Sequence, residues 1–490
     1  MKPQLRMLTR LLATMFLGWL ALILTGCGSS NKTSTPSTPT TPAAVGFLYT
    51  TTNGQGDNKV LRLSRYADGK VGAEKSYDTF GDGGANVMAG GDAHGDFDSQ
   101  GAIQIIGNYL LTVNAGSNTI SVFGLNRTNG ELNFLENEAS GGVRPVSIAY
   151  TKQNGSDNMY WVVVGNQWNN PNVQKGPGSE PAANIERYPN DGFFKVSPPA
   201  AEGKDLSTAD ASDAQRNITL FSFNSATGDL SVVKILANYP RQNGGPTTVS
   251  FSDDGSKLAV ATWGIAHFGT NTPVATDNKD TTEQRPSRVY VYNFNNQNGE
   301  TTNAQYFEQV GIAGTIGINW ARGNNDYIHA SNFNLANNMS NNGLTVLQST
   351  ATAVTKQNGY KTGAANTIDE ACWTILSPDG KRLYVSSFGT NVITPFELND
   401  NGTVKSTLTF AERGSSAERP AGDTKDMYIT SDNKYLYSIG AFETFTMNRF
   451  NITPTGLTFV DQYDYQATKS MKGTRGANNF LGLAGFDIAK

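Results

Sequence analysis

The chain has 490 residues, of which 16% are charged and 10% aromatic, and its formal net charge is -4 at pH 7. A chain of this length can bury a large core or build a ring of small sheets. The slightly acidic balance argues against nucleic acid as a partner, because nucleic-acid-binding proteins carry a basic footprint.

The first 26 residues predict a signal peptide. Lys2, Arg6 and Arg10 precede an uncharged apolar stretch at 11–24. This stretch is shorter than the ~20 residues that a membrane-spanning helix needs, and the basic residues before it are typical of an export signal. We therefore predict a signal peptide at 1–26, of the lipoprotein type, with an ordinary secretory signal or an uncleaved anchor as the alternative.

The residues that follow indicate a membrane anchor and a tether. Residues 24–27, Leu-Thr-Gly-Cys, resemble a bacterial lipobox. The resemblance implies that Cys27 is lipidated and holds the protein at a membrane, and Gly28 after it implies sorting to the outer membrane. Residues 27–45 are rich in Ser, Thr and Pro, so we expect a disordered tether with a reach of roughly 55 Å. The membrane face that displays the protein stays open.

The chain has two cysteines. If Cys27 is acylated, Cys372 has no partner for an intramolecular disulfide, and a lone thiol in an oxidising compartment should be buried. A nucleophilic role for Cys372 is the alternative, and it requires a nearby base.

From residue 46 onward, one strand unit recurs along the chain. Seven short apolar runs, several of them rich in tyrosine, each precede a polar turn and a second alternating segment. The runs lie at 47–50, 109–114, 160–164, 258–262, 327–331, 383–387 and 436–439. A unit that repeats at this period predicts an all-β seven-bladed β-propeller of four-stranded antiparallel blades, with each run as the second strand of its blade.

Turn signals complete the blades. Asn-Gly and Thr-Gly pairs, such as Asn129-Gly130, lie between alternating runs and are typical of hairpins, because both residue types tolerate positive φ. The C-terminal segment 480–489 lacks following strands, so we predict that it is the inner strand that completes the first blade and closes the ring. Loop inserts are expected near 166–215 and 268–287.

Four segments resemble the lactonase-like, YVTN-type propeller family, which includes 6-phosphogluconolactonases and carboxymuconate-cyclizing enzymes. They lie at 99–102, 114–123, 140–147 and 371–373, and a Ser-Pro-Asp-Gly turn follows at 377–380. The resemblance implies a propeller whose arginine, histidine and glutamate act near the central channel without a metal or other cofactor.

The chain departs from the family's charged positions at three places. Where the enzymes have Gly-Pro-Arg-His, residues 245–248 read Gly-Pro-Thr-Thr. Trp373 stands where the enzymes have a glutamate, and Ser387-Phe388-Gly389-Thr390 replaces an Asn-Arg-Gly-His segment. Whether the chain is an enzyme is therefore open at the level of sequence.

Candidate site residues follow from propeller geometry, because loops that lead into inner strands ring one mouth of the channel. We predict catalytic roles for Arg144, which would polarise a carbonyl, and Glu370, which would orient water or move a proton. The predicted ligand-binding residues are Gln100, Thr247, Trp320, Trp373 and Asp426. An inter-blade ion pair is the alternative for Arg144, and packing between blades is the alternative for the two tryptophans.

A glycine-rich segment around 82–98 carries a weak calcium candidate. Asp92, Asp96 and Asp98 place oxygen ligands at alternating positions, but the EF-hand pattern is absent because Ile103 occupies the twelfth position. A solvated loop is the alternative.

Two functional hypotheses follow. The first is a lipid-anchored propeller of the bacterial outer membrane, facing the periplasm or the surface, that binds or scaffolds an envelope protein or a small ligand. The second is a lactonase-type or cyclase-type hydrolase that acts at the channel mouth without a metal.

Overall fold

The structure is a computed structural model. It describes residues 42–54, 56–84, 99–167, 216–239, 244–264, 287–309, 314–332, 343–364, 370–413, 422–474 and 477–488, together with two short strands, Ile185–Arg187 and Phe194–Val196. Cys27, the signal peptide, the tether up to residue 41, Asp92, Asp96, Asp98 and most of both predicted inserts lie outside these residues. Within the described part of the chain, no helix is long and apolar enough to cross a membrane.

Seven antiparallel sheets form the blades. Blade 1 contains β1 (Gly46–Thr51), β2 (Gly56–Arg65), β3 (Val71–Gly83) and β31 (Leu481–Asp487). Blade 2 contains β4 (Ile103–Ile106), β5 (Tyr109–Asn114), β6 (Thr119–Leu125) and β7 (Leu132–Ala139). Blade 3 contains β8 (Pro145–Lys152), β9 (Met159–Asn166), β12 (Asn217–Asn224) and β13 (Leu230–Asn238), with the pair β10 (Ile185–Arg187) and β11 (Phe194–Val196) between β9 and β12 in sequence.

The remaining four blades follow in chain order. Blade 4 contains β14 (Pro246–Phe251), β15 (Lys257–Thr262), β16 (Ser287–Asn295) and β17 (Glu300–Gln309). Blade 5 contains β18 (Thr315–Trp320), β19 (Tyr327–Asn332), β20 (Leu344–Ser349) and β21 (Val354–Tyr360). Blade 6 contains β22 (Ala371–Leu376), β23 (Arg382–Ser387), β24 (Val392–Leu398), β25 (Val404–Thr407) and the short β26 (Ala411–Glu412). Blade 7 contains β27 (Thr424–Ile429), β28 (Tyr435–Gly440), β29 (Thr446–Thr453) and β30 (Gly456–Asp464).

The predicted propeller is confirmed, and so is its closure. All seven apolar runs fall in second strands, namely β1, β5, β9, β15, β19, β23 and β28. Strand β31 pairs antiparallel with β1, and Phe486 lies opposite Phe47. The seven inner strands, β31, β4, β8, β14, β18, β22 and β27, contact one another in sequence around the centre. Closure gives blade 1 its inner strand and leaves β1 paired on both sides.

The core lies between neighbouring blades. The cluster between blades 1 and 2 shows the pattern, because Phe47 and Tyr49 of β1 pack with Leu110 and Phe123 of the next blade. Strand alternation places apolar side chains on both faces of each sheet, and each face is covered by an adjacent blade. Burial of these side chains supplies most of the stability of the ring.

Several blades are also joined by a recurring hydrogen bond, which we call the latch. In each latch, a polar side chain from a second strand donates to a backbone carbonyl in the outer hairpin of the next blade. The latches are Tyr49 OH to Gly130 O (2.8 Å), Trp161 Nε1 to Asn296 O (2.8 Å), His329 Nε2 to Gly402 O (2.7 Å) and Tyr437 OH to Gly69 O (2.6 Å). Glycine suits three of these hairpins because Gly69, Gly130 and Gly402 have φ of 81°, 71° and 85°.

The two faces of the ring differ. We call the face at which the chain enters the inner strands the upper face and the opposite one the lower face. Hairpins of the lower face are short, and none is longer than segments such as 126–131 or 321–326. The longest connections in sequence, 167–216 between β9 and β12 and 263–286 between β15 and β16, begin and end at the upper ends of their strands. Variable surface loops of this kind usually carry binding functions.

Candidate functional site

Gln100 lies across the centre of the channel near the upper face. Its backbone oxygen accepts from Ser147 Oγ of blade 3 (2.6 Å), and its backbone N–H donates to Thr247 O of blade 4 (3.3 Å). Its side chain donates to Ile318 O of blade 5 (3.2 Å) and accepts from Thr374 N of blade 6 (2.7 Å). One glutamine therefore joins four blades, and the channel is filled at this level.

Trp373 holds the same segment in place. Its indole Nε1 donates to Ser99 O at 2.5 Å, and the side chain is 1% exposed. The Nζ of Lys425 lies 5.4 Å from the centre of the ring, and the Phe388 ring packs against it at 6.3 Å. In this arrangement the indole serves the packing of the channel, which was the alternative to ligand stacking.

Asp426 connects the last blade to the first. Its Oδ2 accepts from Gly482 N of β31 at 3.1 Å, and it also accepts from the backbone of Gly101. Burial raises the pKa of Asp426 to about 6, although these hydrogen bonds and the charge of Lys425 act in the opposite direction. The carboxylate thus stabilises the junction at which the ring closes.

Thr247 and Thr248 occupy the place where the family resemblance implies an arginine and a histidine. Thr247 Oγ1 donates to carbonyls of blade 5, the shortest bond being 2.9 Å to Thr315 O, and Thr248 Oγ1 donates to Ile316 O at 2.6 Å. Both side chains are buried. Their hydroxyl protons satisfy backbone carbonyls, so this position provides inter-blade bonding without a positive charge.

Arg144 and Glu370 share an unusual backbone conformation at the upper face. They directly precede β8 and β22, with φ of 58° and 56°. Gly314 stands at the same place before β18, with φ of 84°. A positive φ suits glycine but costs a residue with a side chain roughly 1 kcal/mol or more. Blades 3 and 6 therefore carry a charged side chain at a position where blade 5 uses glycine.

Backbone bonds fix these two residues. Arg144 N donates to Asn118 Oδ1 at 2.7 Å, and Arg144 O accepts from Gln167 N at 2.9 Å. Glu370 O accepts from Phe388 N at 2.8 Å. Strands β8 and β22 lie on opposite sides of the Gln100 side chain, which spans on the order of 10 Å with its hydrogen bonds. Arg144 and Glu370 thus stand before the inner strands of two opposite blades, 3 and 6.

Cys372 is buried, as predicted, and its Sγ donates to Glu370 O at 3.1 Å. This contact places the thiol directly behind the strained backbone of Glu370. The thiol therefore supports the mouth from within the core.

Trp320 is separated from the other candidates. It is the last residue of β18, so it lies at the lower face, whereas the remaining candidates lie at the upper end of their strands. Its Nε1 donates to Ser250 O at 3.1 Å, its side chain is 3% exposed, and Lys257 Nζ lies 5.8 Å from the ring. Trp320 packs between blades 4 and 5.

Two buried charged groups at the upper face were missed by the sequence reasoning. Lys425 is fully buried, and its Nζ donates to Asn479 Oδ1 at 2.5 Å. Asp423 directly precedes β27 and forms a buried ion pair with Arg413 at 2.9 Å. The available signal was a Lys-Asp pair at the start of a predicted inner strand, where the pattern otherwise requires apolar residues. In the described ranges, no group of three His, Cys, Asp or Glu side chains could hold a metal ion.

Comparisons with known proteins bear on the fold. No protein-family model and no curated protein sequence matches the chain. Among solved structures, a putative 6-phosphogluconolactonase from Bacteroides fragilis matches with a TM-score of 0.55 and 14% identity, covering 92% of this chain and all of that one (100%). The periplasmic gluconolactonase of Pseudomonas aeruginosa matches with a TM-score of 0.53 and 12% identity, covering 89% of this chain and 99% of that one. A protein from Lactobacillus plantarum matches with a TM-score of 0.53 and 12% identity, covering 90% and 99%.

These likenesses confirm that the chain has the seven-bladed fold of 6-phosphogluconolactonase-like proteins, as the sequence resemblance implied. At 12–14% identity they concern the fold alone. Folds of this type host unrelated activities, so function has to be argued from the residues at the mouth.

Proposed function

We propose that this protein is an exported, lipid-anchored propeller that binds an envelope protein or a small ligand at its upper face. The observation that carries the proposal is the use of the channel residues. Gln100, Thr247, Trp373 and Asp426 are engaged in hydrogen bonds that hold blades together. Side chains committed in this way stabilise a scaffold and leave recognition to the rim above them.

The rim supplies charge at defined places. Arg144 and Glu370 flank the mouth in a strained conformation, and strain of this kind is retained where a function depends on it. The strands on either side of the two longest connections, β9 and β12 in blade 3 and β15 and β16 in blade 4, meet those connections at the upper face. A partner with complementary charge could contact both residues, because charged rims steer association and set the orientation of docking.

The position of the first strand shows where the proposed anchor would join the propeller. Gly46, the first residue of β1, pairs with Asp487 at the lower end of β31. A tether from Cys27 would therefore continue into β1 at the lower face. Export and lipidation are tested by palmitate labelling of the wild-type protein and of Cys27→Ala in a bacterial host. Loss of label and of membrane association in the variant supports the anchor, and unchanged association refutes it.

Binding at the upper face is tested by capture from solubilised envelopes with immobilised propeller. Arg144→Ala and Glu370→Gln should each reduce capture of a specific partner. Arg322→Ala, an exposed arginine in the lower-face turn 321–326, is the matched control and should leave capture unchanged. Equal capture by all three variants, or no thermal shift with any metabolite and no captured partner, would contradict the proposal.

The second candidate is a hydrolase, and the same strained pair favours it. Arg144 would polarise a lactone carbonyl, and Glu370 would take a proton from the attacking water. The ring C–O bond breaks, the ring oxygen gains a proton, and a hydroxy acid results. The test is the rate at which the wild type, Arg144→Ala and Glu370→Gln hydrolyse a panel of lactones. A hydrolase requires a wild-type rate above the uncatalysed rate and a loss of that rate in both variants. A wild-type rate equal to the uncatalysed rate contradicts this alternative.

A further inference from the structure

A cleft of about 450 Å³ lies between blades 6 and 7 at the lower face, on the side of the ring opposite the upper mouth of the channel. It is bounded by the turns after β22 and β27 and by the outer hairpin of blade 7. Its volume is within the range of small-molecule sites. The origin of this cleft is visible in the latch pattern.

Tyr384 of blade 6 occupies the latch position but makes no latch. Tyr384 lies seven residues after Ser377, the first residue of the turn before it. Tyr437 lies seven residues after Thr430, the first residue of the matching turn in blade 7. The Tyr437 hydroxyl donates to the next blade, to Gly69 O at 2.6 Å. The Tyr384 hydroxyl is buried and, within the described residues, its proton has no acceptor.

The next hairpin explains the difference. In blade 7 the turn between β29 and β30 consists of Pro454 and Thr455 alone. Gly456 after it packs against Thr409 of blade 6, and Leu457 N donates to Thr409 O at 3.0 Å. Two carbonyls of this hairpin, Thr453 O and Pro454 O, accept from Arg382 and not from Tyr384, and both residues line the cleft.

A second polar group of the cleft also lacks a partner. Asn433 takes the left-handed turn position, with φ of 56°, that Gly255 and Gly380 take in the same turns of blades 4 and 6. Its side-chain Oδ1 is buried and, in the part of the chain that the structure describes, accepts no hydrogen bond. An unpaired buried acceptor lowers stability, and a ligand that donates to it would recover that loss. The hydroxyl proton of Tyr384 therefore lacks an acceptor, and Oδ1 of Asn433 lacks a donor.

The charges around the cleft balance. Asp379 and Lys381 lie on the turn, and Arg382 and Glu397 lie on the neighbouring strands. Arg382 lies beside the Tyr384 hydroxyl, toward which it can act only as a donor. Its two terminal nitrogens donate to Thr453 O and Pro454 O at 2.7 and 2.8 Å. Two cations and two anions favour a neutral ligand over an ion.

Apolar surface completes the lining. Leu398, Ile452 and Pro454 present aliphatic carbons to the cleft. A sugar ring or alditol has C–H faces that suit such carbons and hydroxyl groups that both donate and accept. From these observations we propose that the cleft between blades 6 and 7 binds a neutral sugar or polyol through Tyr384 and Asn433. This site is independent of the proposed function because it lies on the other face.

The test uses the folded protein, a panel of neutral monosaccharides and alditols, and saturation-transfer NMR followed by calorimetry. Tyr384→Phe removes the hydroxyl alone and should weaken binding about tenfold without lowering the melting temperature. Asn433→Gly keeps the left-handed turn and should weaken binding similarly. The matched control is Tyr437→Phe, which breaks a latch and should lower the melting temperature while leaving sugar affinity unchanged.

Three results would overturn the proposal. The first is the absence of saturable binding of any sugar or alditol to the wild type, with only water in the cleft of a soaked crystal. The second is binding that Tyr384→Phe leaves intact, which would move the site elsewhere. The third is a capped dipeptide that displaces every sugar, which would assign the cleft to peptide amides instead.

Discussion

Acid should act on this protein through two buried groups whose effects oppose one another. Burial lowers the pKa of His329 from 6.5 to about 4, and the latch bond to Gly402 opposes this shift. Burial raises the pKa of Asp426 from 3.8 to about 6. The perturbation is a change of pH from about 7 to about 5 in the wild type and in variants that lack one of the two groups.

The sign follows from which state binds the proton first. The unfolded chain protonates His329 near pH 6.5 and the folded chain only near pH 4, so acidification favours unfolding. For Asp426 the folded chain binds the proton first, near pH 6, so acidification favours folding, and this stabilisation is lost as pH rises through 6.

The contributions of the two groups to the free energy of unfolding partly cancel. At ~1.4 kcal/mol per pKa unit, each shift corresponds to about 3 kcal/mol over its full window. Between about pH 7 and pH 5, His329 should cost about 2 kcal/mol and Asp426 should contribute about 1 kcal/mol. The wild type should therefore lose only about 1 kcal/mol or less from this pair, although each group separately has a larger effect.

Urea unfolding at a series of pH values separates the two contributions. His329→Gln keeps a donor for the latch and should make the protein more stable at pH 5 relative to pH 7 than the wild type is. Asp426→Asn should show the reverse, a steeper loss on acidification. Each variant is compared with itself at two pH values, so any change in the free energy of unfolding that does not depend on pH cancels. If both variants show the pH dependence of the wild type, the assignment of these protons is wrong.

Three further predictions concern the upper face. Arg144→Gly and Glu370→Gly should each raise the free energy of unfolding by up to about 1 kcal/mol, because glycine adopts their positive φ without strain, and urea titration measures the gain. Gln100→Ala should lower it by about 3 kcal/mol, since three side-chain hydrogen bonds to blades 5 and 6 are lost at about 1 kcal/mol each, again by urea titration. The Cys372 thiol should resist a thiol reagent in the folded protein and react on unfolding, as followed by absorbance.

Controls make these outcomes decisive. Gln104→Ala removes one bond, to Ile148 O at 3.0 Å, and should cost about a third as much as Gln100→Ala. Glycine at Glu138, in strand β7, should destabilise. Equal losses for the two glutamines, destabilisation by glycine at Arg144 and Glu370, or rapid labelling of Cys372 in the native state would each contradict the structure.

The architecture was predictable because it rests on local patterns. Alternating apolar and tyrosine-rich runs predict second strands, and the hairpin dipeptides predict turns, since both depend on residues close in sequence. The closing role of segment 480–489 followed from an unpaired strand at the end of the repeat. Blade 5 shows the limit, because the strand that ends at Trp320 is followed by Ala-Arg-Gly-Asn and lacks the Ser-Asp-Gly type of turn that marks the lower end in blades 4 and 6.

The use of the mouth residues could not be predicted in the same way. Gln100 bonds to partners 218 and 274 residues away, and no local pattern encodes such contacts. Lys425 was overlooked because a lysine at an inner strand normally indicates solvent, whereas here two aromatic rings and Asn479 surround it. The cleft beside Tyr384 depends on one short hairpin in a neighbouring blade, which is visible only after the blades are assembled.

The pairing of β31 with β1 also sets when the ring can complete its folding. Strand β1 is made among the first residues of the propeller, yet its inner neighbour is synthesised more than 400 positions later, after Gly46 has paired with β2. During synthesis, six blades can assemble while the first still presents an open backbone edge. Chaperones or proteases that recognise such an edge would distinguish a finished ring from one still in synthesis.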